Sequence, residues 1–456
     1  MRDLSAIIKA YDIRGLVPEQ LDEDTARDAG AAFVRVVGAD RIVTAYDMRP
    51  SSPSLAQAFA AGATAQGADV LEAGLGSTDM LYYASGSLDV PGAMFTASHN
   101  PAQYNGIKMC RAGASPIGER TGLSEIRGLM ESGPLQASGR TGTVQRQDIL
   151  GGYVDKLLSL VEVSAGRRLK VVVDAGNGMA GYTVPPVFAR LPVDLVPMYF
   201  ELDGTFPNHE ANPIDPVNLR DLQRQVLESA ADIGLAFDGD ADRCFVVDER
   251  GRSVSPSTLT ALIAVRELAK DPGSPVIHNL ITSRAVPEIV LEHGGVPIRT
   301  RVGHSFIKQV MAETGAVFGG EHSGHFYFRD FWRADSGMLA ALHVLAALSE
   351  SPLPLSELLG DYERYEFSGE INSEVPDPRE RTRVVRESFA ARPGAEVDTL
   401  DGLTVSLPGH RWFNLRPSNT EPLLRLNAEA PDRESMELLR DEVLELVREG
   451  SDGSDS

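Results

Sequence analysis

The 456-residue chain contains only two cysteines, Cys110 and Cys244. Two cysteines in a chain of this length do not form a disulfide framework, so we expect a reduced, cytoplasmic protein in which both thiols pack as small apolar groups. No apolar run reaches the length of a membrane-spanning helix, and the first residues lack the apolar core of a signal peptide. The composition therefore argues against the secreted disulfide-rich and membrane-spanning classes.

Positive charge is also scarce. The chain has 43 Lys and Arg against 65 Asp and Glu, a formal net charge of -22. Such an acidic protein is a poor general binder of nucleic acid or anionic membrane, so we expect neither partner. If the substrate is an anion, its site must be a local island of basic side chains, which makes individual arginines and lysines informative.

Strand-like and helix-like segments alternate along most of the chain. This alternation predicts parallel or mixed sheets covered by helices, in three α/β blocks without an obvious sequence repeat. Strands are predicted at 41–45 and 169–173, and helices at 336–348, 378–391 and 433–448. The last block has the pattern of a small α+β domain. We predict domains at 1–145, 146–250, 251–365 and 366–449, followed by a disordered acidic tail at 450–456.

Three aspartates, Asp238, Asp240 and Asp242, alternate with small residues directly after the apolar segment 233–237, which predicts a buried strand. Alternation in an extended loop lets three carboxylates surround one hard cation such as Mg²⁺. Open α/β sheets place ligands at such strand ends. An EF-hand loop is one alternative, but Arg243 stands where that loop needs glycine. A solvated acidic turn is the other.

A second polar loop, Thr-Ala-Ser-His-Asn-Pro at 96–101, follows a strand-like segment. Pro101 stiffens this loop, and the Ser98 hydroxyl is placed to accept or carry a phosphoryl group. A plain turn with a capping serine is the alternative. Ser98 and His99 are not predicted to form a nucleophile and base pair, because neighbouring side chains rarely face each other.

Two further loops carry hydrogen-bonding groups. In Gly-Glu-His-Ser-Gly-His at 320–325, Glu321 and Ser323 suit neighbouring sugar hydroxyls. In Arg-Pro-Ser-Asn-Thr-Glu at 416–421, a guanidinium, hydroxyls, an amide and turn N–H groups suit a phosphate dianion. Taken alone, each loop is equally well explained as an ordinary connection or hairpin turn.

Taken in this order and at this spacing, the four loops resemble those of the α-D-phosphohexomutase superfamily, and the resemblance extends back to Tyr-Asp-Ile-Arg-Gly at 11–15. It implies four domains around a central cleft: three related α/β domains and a C-terminal α+β domain similar to the TATA-binding protein. It also implies an isomerase, an intramolecular phosphotransferase that uses Mg²⁺, a phosphoserine and a bound hexose 1,6-bisphosphate. The expected partner is a small hexose phosphate, and the expected assembly is a monomer or homodimer.

The sugar loop, Glu-His-Ser, resembles that of the phosphomannomutase branch, which implies interconversion of mannose 1-phosphate and mannose 6-phosphate. A phosphoglucomutase or a dual-specificity enzyme is the first alternative. A phosphoglucosamine mutase, a sugar phosphatase and a non-catalytic sugar-phosphate sensor are the others. Some relatives carry a lysine close to position 280, where this chain has Leu280.

The resemblance also implies roles for individual residues. Ser98 is implied as the phosphoryl carrier and, through its phosphate, as a metal ligand together with Asp238, Asp240 and Asp242. The residues implied near the reacting groups are Ser98, Lys108, Arg14 and His304. Those implied to bind substrate are Tyr11, His99, Arg243, Glu321, Ser323, His325, Arg416, Ser418, Asn419 and Thr420.

Overall fold

The computed structural model describes residues 4–8, 10–163, 166–417 and 423–449. The predicted tail at 450–456 and the predicted phosphate-binding residues Ser418, Asn419 and Thr420 lie outside these ranges. The backbone of His304 is described, whereas its side chain is not.

The first sheet has seven strands and forms domain I. Its elements are β1 (Ile13–Leu16), α1 (Glu23–Val37), β2 (Arg41–Tyr46), α2 (Ser52–Ala65), β3 (Asp69–Leu75), α3 (Thr78–Leu88), β4 (Gly92–Phe95), β5 (Tyr104–Arg111), β6 (Ser115–Pro116), α4 (Leu123–Glu131) and β7 (Val144–Arg146). The strand order is β1-β5-β4-β2-β3-β7, with β6 paired to β5. Helix α5 (Leu150–Leu160) leads to the second sheet.

The second sheet forms domain II and the third forms domain III. Domain II contains β8 (Leu169–Asp174), α6 (Ala180–Phe188), β9 (Val193–Met198), α7 (Arg220–Ser229), β10 (Ile233–Phe237), β11 (Cys244–Asp248) and β12 (Ser253–Val254). Domain III contains α8 (Pro256–Lys270), β13 (Pro275–Asn279), α9 (Ala285–Glu292), β14 (Val296–Thr300), α10 (His304–Thr314), β15 (Phe318–Gly320), β16 (Phe326–Phe328), β17 (Ala334–Asp335), α11 (Gly337–Glu350) and α12 (Leu355–Leu358). Their orders are β12-β11-β10-β8-β9 and β14-β13-β15-β16-β17.

The three sheets share one pattern of connections. In each, a central strand (β2, β8 or β13) is parallel to the strand that follows it and to the third strand of the unit. The fourth strand then returns antiparallel beside the third. The sequence shows no repeat because the pattern is conserved in topology, not in residue identity.

The fourth sheet forms domain IV. Its elements are β18 (Glu366–Phe367), β19 (Ile371–Glu374), α13 (Pro378–Ala390), β20 (Glu396–Asp398), β21 (Leu403–Leu407), β22 (Arg411–Pro417), β23 (Leu423–Ala430) and α14 (Arg433–Arg448). The order is β18-β23-β22-β21-β20, with β19 paired to β23. Helices α13 and α14 bury apolar strand residues such as Phe413 and Leu424. Because side chains alternate along a strand, Asn414 and Arg416 lie on the opposite face.

These bounds confirm the strands predicted at 41–45 and 169–173 and the three predicted helices. The strand predicted at 233–237 is β10, and β11 follows the aspartates, so the EF-hand alternative is wrong. Cys110 and Cys244 are both buried free thiols. None of the helices in the described ranges combines the length and the apolar character needed to cross a bilayer.

The shared topology also places the loops. The Ser98 loop follows β4, the aspartate loop follows β10, and the Glu321 loop follows β15. Each of these is the third strand of its unit. The three loops differ in sequence but occupy equivalent positions, at the carboxyl end of the same strand in each sheet. Such strand ends are where open α/β sheets bind ligands.

Candidate active site

The loops of the three α/β domains meet around a cavity of about 320 Å³. Domain I contributes most of its wall, and the aspartate loop and the loop after β15 close it. Its lining residues are Tyr11, Asp12, Arg14, Tyr82, Ser98, His99, Lys108, Met109, Pro116, Ile117, Asp242, Arg243, His325 and Asp335. Seven of the residues predicted for the site, Tyr11, Arg14, Ser98, His99, Lys108, Arg243 and His325, are therefore brought together, along with the predicted metal ligand Asp242.

Ser98 is buried at the junction of domains I and II. Its hydroxyl donates to Asp238 Oδ2 at 2.7 Å, across 140 residues of chain. Its backbone has a φ of 51°, in the left-handed region that non-glycine residues seldom adopt and that often marks a functional site. The two loops approach so closely that a Cβ on Gly239 would lie 2.4 Å from the Ser98 carbonyl oxygen, so this position requires glycine.

Neighbouring side chains rarely face each other, but those of Ser98 and His99 do. His99 Nδ1 lies 3.3 Å from Ser98 Oγ, and the backbone at Ser98 is left-handed. The prediction that the two are not a nucleophile and base pair stays a prediction. Burial, followed by the charges of Arg243 and Arg14, lowers the pKa of His99 well below its usual range. Its ring is therefore neutral, and Nδ1 accepts a hydrogen bond from Arg243 Nη2.

Arg243 connects the Ser98 loop to the aspartates. Its Nε donates to Asp238 Oδ2 at 2.8 Å, and its Nη2 donates to Ser98 Oγ at 3.1 Å. The side chain is 2% exposed. A buried guanidinium at this distance from the serine oxygen favours an anionic group on that oxygen.

The three aspartates form a cluster in which one carboxylate oxygen of each residue lies within 4.8 Å of the other two. Asp240 Oδ1 and Asp242 Oδ1 are buried and have no hydrogen-bond partner in the described part of the chain. Carboxylate oxygens left unpaired in this way suit a hard divalent cation. The residues present therefore fit a metal ion held by Asp238, Asp240 and Asp242.

The other oxygens of two of these aspartates are occupied. Lys108 Nζ contacts Asp240 Oδ2 at 2.7 Å and Asp242 Oδ2 at 2.6 Å. Burial alone would lower the pKa of Lys108, but the two carboxylates outweigh it and raise the pKa. Thr78, at the start of α3, donates to the same Asp240 oxygen at 2.5 Å.

His325 links the cavity to the predicted sugar loop. Its Nε2 lies 3.6 Å from Asp242 Oδ1, and its Nδ1 lies 3.0 Å from Ser323 Oγ. Asp242, His325 and Asp335 form a second compact group of possible ligands. Lys308 Nζ, 2.6 Å from Asp335 Oδ1, already neutralises one of the two carboxylates in that group.

Glu321 is buried beside the cavity, where it accepts hydrogen bonds from the Tyr327 hydroxyl at 2.7 Å and from the Gly303 N–H at 3.1 Å. Burial, then Glu321 and Asp401, raise the pKa of Tyr11, while Arg301 and Arg416 lower it. Tyr11 of domain I therefore experiences charges from both the predicted sugar loop and domain IV.

Arg14 also lines the cavity and is held by two side chains of domain I. Its Nη1 donates to Asn100 Oδ1 at 2.6 Å, and its Nη2 donates to Asp12 Oδ2 at 2.5 Å. His304 begins α10, in the strand-to-helix turn that Gly303 opens. Arg14, Lys108 and Arg243 are the lysine and arginine side chains that line the cavity, and each contacts a carboxylate.

Sequence reasoning missed Arg49, a buried residue that follows β2. Its two terminal nitrogens donate to four carbonyl oxygens of the Ser98 loop, those of Ser98, Asn100, Pro101 and Tyr104, at 2.7 to 2.9 Å. Its Nε lies 3.3 Å from Asp47 Oδ2. The only signal in the sequence is the Asp-Met-Arg order after an apolar strand, which alone indicates a turn.

Comparison with known proteins identifies the scaffold. Four models of the phosphoglucomutase/phosphomannomutase family match in order: the alpha/beta/alpha domains I, II and III at residues 5–136, 151–251 and 255–365, and the C-terminal domain at 370–446.

The chain belongs to the phosphoglucomutase/phosphomannomutase family.

Two similar members are a phosphomannomutase of Salmonella montevideo, 40% identical over 96% of this chain and 98% of the relative, and a protein of Xanthomonas campestris pv. campestris described as phosphohexose mutases, with the same identity and coverage. A phosphoglucomutase/phosphomannomutase family protein of Burkholderia thailandensis has a solved structure that is 33% identical, with a TM-score of 0.89 over 100% of this chain and 99% of that one. The four-domain fold and the isomerase class predicted from the sequence are confirmed.

Proposed function

We propose that this family member is a phosphomannomutase, which interconverts mannose 1-phosphate and mannose 6-phosphate. The observation that carries the proposal is the contact of Ser98 Oγ in domain I with Asp238 in domain II, 2.7 Å apart. A carrier hydroxyl beside a carboxylate cluster, with Arg243 donating to the same oxygen, is the arrangement that phosphoryl transfer needs.

In the proposed reaction Ser98 carries the phosphoryl group. The bond from phosphorus to Ser98 Oγ breaks and a bond to O6 of mannose 1-phosphate forms, while the O6 proton passes to a basic group of the site. The resulting 1,6-bisphosphate turns end for end. Ser98 Oγ then accepts the phosphoryl group from O1, O1 takes a proton, and mannose 6-phosphate leaves.

Asp238, Asp240 and Asp242 would hold Mg²⁺. When bound, Mg²⁺ neutralises charge on the phosphoryl oxygens, which is a large contribution in this class of reaction. Arg14, Lys108 and Arg243 supply further positive charge around the transferred group. Closing of the domains around the cavity would exclude water and protect the phosphoserine from hydrolysis.

The remaining predicted residues bind the sugar and its second phosphate. Glu321 and Ser323, with His325, are assigned to the sugar hydroxyls. Arg416, with Ser418, Asn419 and Thr420, is assigned to the phosphate that is not being transferred. We further propose the domain limits given above, a cytoplasmic setting and a monomer or homodimer.

Mannose is proposed over glucose because the sugar loop is Glu-His-Ser and because similar proteins, such as that of Salmonella montevideo, are described as phosphomannomutases. The description of the Xanthomonas relative as phosphohexose mutases favours dual specificity as the second candidate.

A panel of 1-phosphates of mannose, glucose and glucosamine, assayed with Mg²⁺ and a trace of hexose 1,6-bisphosphate, tests the proposal. We expect the highest kcat/KM with mannose 1-phosphate and no release of inorganic phosphate. A higher kcat/KM with glucose 1-phosphate would identify the enzyme as a phosphoglucomutase. Release of inorganic phosphate at the rate of substrate loss would identify it as a phosphatase. Ser98→Ala serves as the inactive control.

A further inference from the structure

The N-termini of two helices, one from domain I and one from domain III, lie against the aspartate loop of domain II. Helix α3 begins beside Asp240, where the Thr78 N–H donates to the Asp240 carbonyl oxygen at 3.1 Å. Helix α11 begins so close to Arg243 that a Cβ on Gly337 would lie 2.7 Å from the Arg243 carbonyl oxygen. Because a helix N-terminus carries partial positive charge, both helix ends favour the negative charge of this loop.

One buried carboxylate joins the two helix ends. Asp79 Oδ2 accepts a hydrogen bond from Ser336 Oγ at 2.7 Å, across 257 residues of chain, and Asp79 Oδ1 accepts one from the Ser77 hydroxyl. Ser77 is the N-cap of α3, and Ser336 is the N-cap of α11. The Tyr153 hydroxyl of α5 also donates to Asp79 Oδ2, at 2.8 Å. All four side chains are fully buried, and we call them the Asp79 hub.

The hub sets the direction of both N-cap hydroxyls. A serine hydroxyl has one proton to donate, and here both serines donate it to Asp79. Their lone pairs therefore remain free to accept from the helices, from the Met80 N–H at 3.4 Å and the Leu339 N–H at 3.1 Å. An ionised carboxylate, which only accepts, suits three hydroxyl donors better than an amide, which has one acceptor oxygen.

The hub acts on the site through the neighbouring residue of each N-cap region. Thr78, which precedes Asp79, donates from its hydroxyl to Asp240 Oδ2 at 2.5 Å. Asp335, which precedes Ser336, lines the cavity. A shift of either helix end therefore moves a group that faces the proposed metal site or the cavity wall.

The carboxylate of the hub is charged at mildly basic pH. Burial raises the pKa of Asp79 to about 6, although the hydrogen bonds from Ser77, Ser336 and Tyr153 lower it, and the charge of Asp242 raises it further. Burying an ionised carboxylate is costly in itself, so stability alone gives no reason for an aspartate at this position.

We propose that Asp79 is a positioning residue: by holding the N-caps of α3 and α11 together, it fixes domains I and III against the aspartate loop and thereby sets the affinity of the metal site. This inference rests on the proposed function for the metal ion and not for the identity of the sugar. It predicts that Asp79 and Ser336 affect metal binding through one shared hydrogen bond.

Calorimetric titration of the full chain with Mg²⁺ alone, at pH 8, is the first test. Asp79→Asn keeps the size of the side chain but loses one acceptor oxygen, and we expect the Kd for Mg²⁺ to rise about tenfold. Ser336→Ala removes the hydrogen bond between the domains, and we expect a rise of about fivefold. An unchanged Kd in either folded variant would overturn the proposal, and Ser336→Ala decides alone if Asp79→Asn does not fold.

Ser85→Ala is the matched control for stability. Ser85 is a buried serine further along α3, and its hydroxyl donates to the Val90 carbonyl oxygen at 2.7 Å. Its removal should lower the free energy of unfolding in urea, as Ser336→Ala does, and leave the Kd for Mg²⁺ unchanged. A rise in Kd equal to that of Ser336→Ala would show that lost stability alone weakens the metal site, which contradicts the proposal.

The double variant Asp79→Asn, Ser336→Ala is the second test, since it shows whether the two residues act through the same bond. We expect its Kd for Mg²⁺ to be no higher than that of Asp79→Asn, because residues that share one interaction are not additive. A rise equal to the product of the two single rises would show independent effects and refute the shared bond.

The inference and the proposed function fail in different ways. If the parent protein binds no Mg²⁺, the metal site and the role of Asp79 both fall. If the parent protein and Asp79→Asn bind Mg²⁺ equally well, only the role of Asp79 falls. If the Kd values change as expected but the substrate panel shows no turnover of mannose 1-phosphate, the role of Asp79 stands and the phosphomannomutase assignment falls.

Discussion

The guanidinium of Arg49 stacks on the ring of Phe206, with 5.0 Å between the guanidinium carbon and the ring centroid. Arg49 belongs to domain I and holds the Ser98 loop by four carbonyl oxygens, whereas Phe206 belongs to a loop of domain II. The segments that carry these two residues are so close that a Cβ on Gly204 would lie 2.5 Å from Arg49 Cα. Domain II therefore packs against Arg49, which holds the Ser98 loop, and also supplies the three aspartates.

Arg49→Lys tests this support. Lysine keeps the charge but cannot donate in the planar fork that reaches four carbonyls, so the Ser98 loop loses its fixed position. We expect kcat to fall about 100-fold, because small misplacements of a reacting group have costs of that order. The KM for mannose 1-phosphate should change much less, since Arg49 does not line the cavity.

The matched control is Arg35→Lys, an arginine on the exposed side of α1. Phe206→Leu is the second variant, in which the stack is lost but every hydrogen bond of Arg49 remains; we expect a smaller fall in kcat of about fivefold. If the melting temperature of Arg49→Lys falls while kcat is unchanged, Arg49 contributes to stability and not to the position of the Ser98 loop.

Thr78→Val tests the second contact between the domains. Its hydroxyl donates to Asp240 Oδ2 at 2.5 Å, which fixes a carboxylate of the proposed metal site. Partners of metal ligands typically contribute tenfold or more to affinity, so we expect the Kd for Mg²⁺ to rise about tenfold. Calorimetric titration with Mg²⁺ alone, without substrate, measures it.

The control for that titration is Thr64→Val, whose hydroxyl donates to the Ala61 carbonyl of its own helix. Equal Kd values for Thr78→Val and the parent protein would show that Thr78 does not act on the metal site.

His209 gives a prediction on pH. Its Nδ1 lies 2.8 Å from the Glu210 carbonyl oxygen and its Nε2 lies 2.9 Å from Asp174 Oδ2, so both ring nitrogens face acceptors. Burial alone would lower the pKa of His209, but the hydrogen bond and charge of Asp174, with a smaller contribution from Asp221, raise it. The ring also packs edge-on against Tyr199.

Because the pKa of His209 is higher in the folded chain than in the unfolded one, this contact stabilises the fold most fully below about pH 6.5. Its contribution is lost as the pH rises through the folded value. Urea unfolding at about pH 6 and about pH 9 should show a loss of stability in the parent protein that His209→Gln lacks. His293→Gln, at an exposed histidine, is the control, and parallel pH profiles for all three proteins would refute the prediction.

Much of the fold follows from local patterns in the sequence. The largely apolar runs at 169–173 and 233–237 predict buried strands of a sheet that is covered by helices, and they are β8 and β10. The amphipathic pattern at 433–448 gives α14, whose N-cap aspartate, Asp432, accepts the Ser435 N–H at 2.8 Å. The shared topology of three sheets follows from no repeated residue pattern; only the family resemblance implied that three domains are related.

The site was predictable where one loop carries several chemical groups, as at 96–101 and 238–243. Arg49 and Thr78 could not be predicted as site residues, because a single arginine or threonine is most often an ordinary surface or capping group. Their roles depend on contacts with residues that are distant in the sequence. The contact of His99 with Ser98 was not foreseen, since non-glycine residues seldom adopt a left-handed backbone.

Phosphorylation of Ser98 is the most direct test of the central claim. Purified protein is incubated with a hexose 1,6-bisphosphate, and its intact mass and phosphopeptides are determined beside those of Ser98→Ala. We predict one phosphoryl group per chain, located on Ser98, absent from Ser98→Ala and lost to mannose 1-phosphate upon its addition. Mutase turnover with the phosphoryl group on another residue, or with none, would contradict the account.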